Sequence, residues 1–218
     1  MTARRGYSGP TGSRIARFAR DETGATMVEF AMVLALLLLI IFGLIDFGRL
    51  AFHIVTAERS MQIAARVAAV RPPACAGVPS IHRRSASASS TPEFGTNCNA
   101  GSDICADIGT ITCNGDSGND TAWEIWRLVQ GSLPVDADIS ALRFSYAFDP
   151  DLGFLGGPYV PMVTVELDNV TFEFISPLSA LAALAGATAT STEIDADITL
   201  PSMSVSLPGE DLAMGETG

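Results

Sequence analysis

The sequence predicts an α+β protein: a single N-terminal transmembrane helix that continues as a long amphipathic helix, followed by a domain with an antiparallel sheet and short helices. Three observations predict it. Ala25 to Ile45 is an apolar run with one charge, Glu29. Residues 46–70 lack proline and repeat apolar residues at helical steps. Later runs alternate apolar and polar residues with period two.

The 218 residues suffice for one folded domain plus an anchor. Residues 1–24 are small, polar and basic, with nothing to bury. From Phe30 to Ile45 the run is uninterrupted (F-A-M-V-L-A-L-L-L-L-I-I-F-G-L-I). A span needs about 20 such residues to cross about 30 Å of hydrocarbon. A buried core helix rarely needs so long a stretch that is apolar all round. A cleaved secretory signal fits poorly too, because Asp46-Phe47-Gly48-Arg49 follows, not a small-x-small site.

The helix is expected to continue past the span. Leu50, Ile54, Ala57, Met61, Ala64 and Ala68 recur at three- and four-residue steps, with Glu58 and Arg66 on other faces. Pro72-Pro73 ends it. The stripe of small residues suits packing against another helix or against the chain's own domain.

Residues 74–218 are expected to form an acidic domain. All 13 basic residues of the chain are arginine, and only Arg127 and Arg143 follow Ser85, against 19 acidic residues there. Nucleic acid and anionic lipid would repel such a surface, so nucleic-acid binding is excluded. A fragment from Pro72 onward is expected to be soluble. Cys75, Cys98, Cys105 and Cys113 all follow the apolar run. An even number on one side predicts an oxidising compartment and two disulfides, with three pairings open. Their spacings lack metal-ligand pairs, and neither His53 nor His82 adjoins them in sequence.

Residues 80–121, rich in small polar residues, read as loop, and Trp123–Gln130 as a short helix. Phe144, Tyr146 and Phe148 suggest a strand. Val163, Val165 and Leu167, then Val170, Phe172 and Phe174, read as two strands joined at Asp168-Asn169 in a hairpin. Ile194 to Leu200 and Met203 to Leu207 read as two more. Ser176 as N-cap and Pro177 at the first position open a short apolar helix through Ala185, expected to cover the sheet.

The motif that carries function precedes the span. Gly24-Ala25-Thr26-Met27-Val28-Glu29-Phe30 puts glycine before an apolar helix, with glutamate five positions on. This resembles the processing site of type IV prepilins in the form used by the Flp/Tad (tight adherence) pilus system. The stretch Gly24–Arg49 and the later Ala64-Ala65-Arg66-Val67-Ala68-Ala69 are similar to the TadE-like family of pseudopilins. The likeness covers about residues 21–70, and Ala35 stands where many members carry a mid-helix proline.

The resemblance implies that a membrane prepilin peptidase cuts between Gly24 and Ala25. It implies that Glu29, with Phe30 beside it, sets assembly register by pairing with the new Ala25 amine of a neighbouring subunit. A carboxylate just inside a bilayer costs about 1–3 kcal/mol unpaired, so an amine partner is a strong registry signal. It further implies a minor pseudopilin of the bacterial inner membrane, working with other pilins and pseudopilins. Residues 1–24 are then a cytoplasmic leader, 25–45 the span, 46–73 a periplasmic helical extension and 74–218 a periplasmic domain.

No phosphate-binding loop, nucleophile elbow, C-x-x-C or H-E-x-x-H occurs, so no enzyme activity and no cofactor or metal is expected. Asn114 to Asp120 faintly resembles a calcium loop, but glycine holds a ligand position and no glutamate closes it. The alternative to a pseudopilin is an uncleaved membrane-tethered periplasmic binding or adhesion module.

Overall fold

The computed structural model describes residues 25–88, 91–174, 198–210 and 212. Helix α1 runs unbroken over Ala25–Val70. At about 1.5 Å per residue it is ~70 Å long. The chain divides into two compact units, Met1–Asp46 and Phe47–Gly218.

In the first unit, the apolar stretch of α1 has none of its most apolar window buried. Its Leu, Ile, Val, Met and Phe side chains are exposed all round. In water that surface would be untenable, which is the signature of a lipid-facing helix.

In the second unit, four strands form an antiparallel sheet: β1 (Thr110–Asn114), β2 (Leu142–Ala147), β3 (Met162–Leu167) and β6 (Met203–Pro208), in the order β1-β2-β3-β6. The register aligns Cys113, Phe144, Val165 and Val205 across the sheet. Period two then sends Leu142, Phe144, Tyr146, Val163, Val165 and Leu167 into the core. Arg143 opposes Glu166 on the outer face, where Thr164 also hydrogen-bonds Ser206 at 2.7 Å. Two short strands, β4 (Thr171–Phe172) and β5 (Ile198–Thr199), make a separate antiparallel ribbon.

The stripe on α1 packs into this domain. Ala57, Met61, Ala64, Ala65 and Ala68 are fully buried in the same core as the sheet residues. Alanine on the contact face lets a helix backbone approach a sheet closely. The chain after Pro73 stays pinned, because the Ala74 N–H donates to Tyr146 Oη at 2.9 Å. Helix α2 (Asp120–Val129) contributes Ala122, Ile125, Trp126 and Val129. Asn119 caps it, its Oδ1 accepting from the Ala122 N–H at 2.9 Å.

Of the two partners open to the stripe on the 46–73 extension, it takes the chain's own domain, so the fragment from Pro72 would lack one wall of its core. The structure corrects two expectations. Residues 80–121 are not all loop, since β1 lies within them. The hairpin at Asp168-Asn169 does not form. Asn169 takes a left-handed turn (φ 57°), but β2 and β6 already occupy both edges of β3, so β4 pairs with β5. The helix expected at Ser176–Ala185, with Ile194 and Ala196, lies outside the described residues.

Candidate functional site

Gly24 lies outside the described residues, and Ala25 is the first described residue of α1. Glu29 and Phe30 stand in the first two turns, both exposed. Among the described residues no hydrogen bond or ion pair engages the Glu29 carboxylate. It is therefore an exposed acid in the first turns of a lipid-facing helix, where the dipole of the helix N-terminus favours negative charge. The structure places Glu29 and Phe30 near the N-terminal end of the described helix.

Both disulfides form: Cys75–Cys113 and Cys98–Cys105, with Cα separations of 5.6 and 5.1 Å. These fall within ordinary disulfide geometry. Cys75–Cys113 ties the segment leaving α1 to edge strand β1. Cys98–Cys105 closes a short loop with a small core of its own around Leu155.

His82, distant from the cysteines in sequence, comes next to them in space. One of its ring nitrogens and both sulfurs of Cys98–Cys105 lie within 4.8 Å of one another. The sulfurs are joined to each other, which removes the thiolates a metal needs. The imidazole is a structural group: its Nε2 accepts from the Val160 N–H at 3.1 Å, and its ring packs on Tyr159 and Phe148. The His82 backbone bonds Gly156 and Gly157 at 2.9 Å each. Gly153 (φ 83°) must be glycine here, since a Cβ would collide with the imidazole. Burial lowers the His82 pKa by desolvating the charged form. Burial, and then the Asp107 charge, pushes Tyr159 up to about 12.

The stretch with a faint calcium-loop pattern has structural partners instead. Asp116 Oδ1 accepts from Gly118 N–H at 3.0 Å, and Asn119 caps α2. Asp138 similarly accepts from Ser140 N–H at 2.9 Å, which lowers its pKa.

Sequence reasoning missed an aromatic cluster just past the apolar run. The Phe47 and Phe174 rings meet edge-on at 5.9 Å, as do Phe172 and Phe174 at 5.4 Å. His53 packs on Phe172 at 5.6 Å, and the Arg49 guanidinium lies 5.3 Å from the centre of the same ring. The available signal was Phe47 and Phe52 flanking Arg49 directly after the span.

No curated protein and no solved structure matches the chain. The family described as TadE-like protein matches residues 24–69. The likeness therefore covers both the lipid-facing and the domain-packed halves of α1. Among the described residues α1 is the one helix long and apolar enough to cross a membrane. The chain is thus similar to TadE-like proteins over residues 24–69, and the exposed apolar half of α1 fits a single-pass, membrane-associated protein.

Proposed function

We propose that the chain is a minor pseudopilin of a Tad-type pilus, a non-enzymatic assembly component processed by a prepilin peptidase after Gly24. The observation that carries this reading is where the TadE-like match begins: at residue 24, with the Gly24–Ala25 bond at its start and the exposed Glu29 five residues on, in the lipid-facing helix. The leader is basic and belongs in the cytoplasm; the disulfide-bearing domain belongs in the periplasm. Cleavage frees an amine at Ala25. Glu29 pairs with that amine on a neighbouring subunit, which fixes the axial register of packed helices. Partners are the inner membrane, the peptidase and other pilins or pseudopilins. The domain's acidity keeps nucleic acid away.

The test is N-terminal sequencing of the protein co-expressed with its cognate peptidase, alongside a count of surface pili. The wild-type chain should begin at Ala25. Gly24→Leu should block cleavage, because a branched side chain obstructs the extended backbone entering the enzyme. Glu29→Ala should leave cleavage largely intact while assembly fails. An uncleaved wild-type chain beside an active peptidase would return the protein to the class of tethered periplasmic modules. A cleaved, fully piliated Glu29→Ala strain would remove the registry role alone.

A further inference from the structure

The domain-packed half of α1 carries a second stripe, opposite the buried alanines. Phe52, Val55, Arg59, Ile63, Arg66 and Val70 are all exposed. They recur at steps of three and four residues, which at about 100° per residue gathers them within roughly 80° of the helix circumference. Ala57, Met61, Ala64 and Ala68 point the other way, into the core. The helix therefore has two faces with side chains of unlike kind. The outer one sets large apolar residues among cations, and Ile63, 52% exposed, stands between Arg59 and Arg66. A face meant only for water would be polar throughout.

The fold does not neutralise these two arginines. Among the described residues Arg71 pairs with Glu124 at 2.9 Å, whereas Arg59 and Arg66 have no carboxylate partner. Charge is segregated along the chain. From Phe47 to Arg84 there are six arginines and one acid, Glu58; after Ser85 there are two arginines and 19 acids. The acidic part has an uncovered apolar point of its own. Val135 stands in a turn closed by the Ala137 N–H, which donates to the Pro134 carbonyl at 3.1 Å, and is 98% exposed. Asp136 follows it. Asp136, Asp138 and Asp168 line one hollow of about 370 Å³, with Arg143 as the cation at its wall. Stripe and hollow both belong to the compact unit Phe47–Gly218.

We propose that the outer stripe of α1 is a docking surface for a second copy of the chain, whose Val135 turn covers Ile63 and whose acidic hollow pairs with Arg59 and Arg66. Charge selects the occupant. Stripe on stripe would oppose like charges in either direction. In a parallel pair each arginine would face its own counterpart, and in an antiparallel pair centred between them Arg59 would face Arg66. Stripe on hollow instead sets opposite charges around an apolar contact, which favours this register over others. The two surfaces differ, so the contact is heterologous. A docked pair keeps one stripe and one hollow free, and further copies can join head to tail. The inference goes beyond the pseudopilin reading and does not depend on cleavage after Gly24.

The full chain with a photoreactive benzophenone amino acid in place of Ile63 tests it in the membranes of the producing cells. After illumination, cross-links are mapped by mass spectrometry, and N-terminal sequencing of the same sample reads processing separately. A link between two copies is expected, from position 63 to the peptide containing Val135. Arg59→Glu with Arg66→Glu should lower its yield several-fold, and so should Asp136→Arg with Asp168→Arg. All four substitutions together should restore it, because opposite charges face each other again. Should a variant lose its disulfides, the map obtained without charge substitutions decides alone. Links from position 63 to position 63, to lipid or to another protein would overturn the proposal, as would monomer alone. A disulfide-intact chain with all four substitutions that stays as weak as its parents would overturn it too.

Discussion

The two halves of α1 are one helix in two solvents. From Met27 to Ile45 it presents large branched side chains in every direction, and these are exposed. From Ala57 to Ala69 it carries Glu58, Arg59 and Arg66 on exposed faces and buries a face made mostly of alanine. Helix propensity hardly distinguishes the halves, since alanine and leucine are both good helix formers. What differs is the medium each half must satisfy. Lipid asks only that no polar group be stranded, so bulk is welcome all round. A sheet asks for close approach on one side, so the contact residues shrink and the other faces charge.

The sharpest way to break this comparison is truncation. A chain starting at Phe47 retains the buried stripe; one starting at Pro72 loses it. We expect the shorter fragment to fail to fold, because Ala57, Met61, Ala64, Ala65 and Ala68 form one wall of the core. Circular dichroism and thermal melts of both fragments exported to the periplasm check this. A cooperative melt from the Pro72 fragment would show the distal half to be dispensable.

Next in size come the disulfides. In the loop-entropy account, a bridge spanning 38 residues contributes about 4 kcal/mol and one spanning seven about 2 kcal/mol. Replacing Cys75 and Cys113 with alanine should therefore cost more stability than replacing Cys98 and Cys105, by denaturant titration of the detergent-solubilised chain. The first pair also anchors the exit of α1 to β1, so its loss loosens the distal half of the helix specifically. Equal losses would indicate that the short loop's own core around Leu155 matters more than loop length.

A smaller effect separates the halves at single residues. Ala64→Leu adds bulk against a packed sheet and should cost about 1–3 kcal/mol. Ala35→Leu adds the same bulk where the surface faces lipid and should leave the domain's melting temperature unchanged. If both were silent, the alanine stripe would not be a packing requirement.

How much of this was legible in the sequence depends on the range of each signal. The span, the stripe and the Gly24–Glu29 motif are local patterns on one helix, and residue spacing alone carries them. The strands at Phe144 and Val163 were legible because alternation persists over several residues. Strand β1 was not: Thr110 to Asn114 offers only Ile111 and Cys113 as apolar residues, too short a run to stand out from its polar surroundings. The pairing of β4 was misread because local turn chemistry at Asn169 says nothing about which strands already occupy the edges of β3. The stripe's partner was open for the same reason: periodicity shows that a face is buried, not against what. The aromatic cluster and the approach of His82 to Cys98–Cys105 join residues far apart in the chain, and no spacing rule reports such contacts.

Acid should separate the two halves most gently, through His82. Its buried imidazole packs against Tyr159 and Phe148 and uses Nε2 as an acceptor for the Val160 N–H. Protonation would turn that acceptor into a donor facing another donor, and would place a charge where water is scarce. Desolvation accordingly holds its pKa below the ordinary 6.5. Between that depressed value and 6.5 the unfolded chain binds the proton more readily than the folded one. The stabilising contribution is therefore intact above pH 6.5 and is lost as pH falls towards the folded pKa. Asp138 acts in the same direction but only in a lower window, beneath its ordinary 3.8, and it is exposed. The melting temperature of the domain should thus decline as pH drops below 6.5, while far-UV helicity from the lipid-embedded half persists. His82→Gln keeps an acceptor for Val160 but cannot titrate there, so it should flatten the slope at some cost in stability at neutral pH. Parallel slopes for His82→Gln and the wild type would assign the acid sensitivity to other groups.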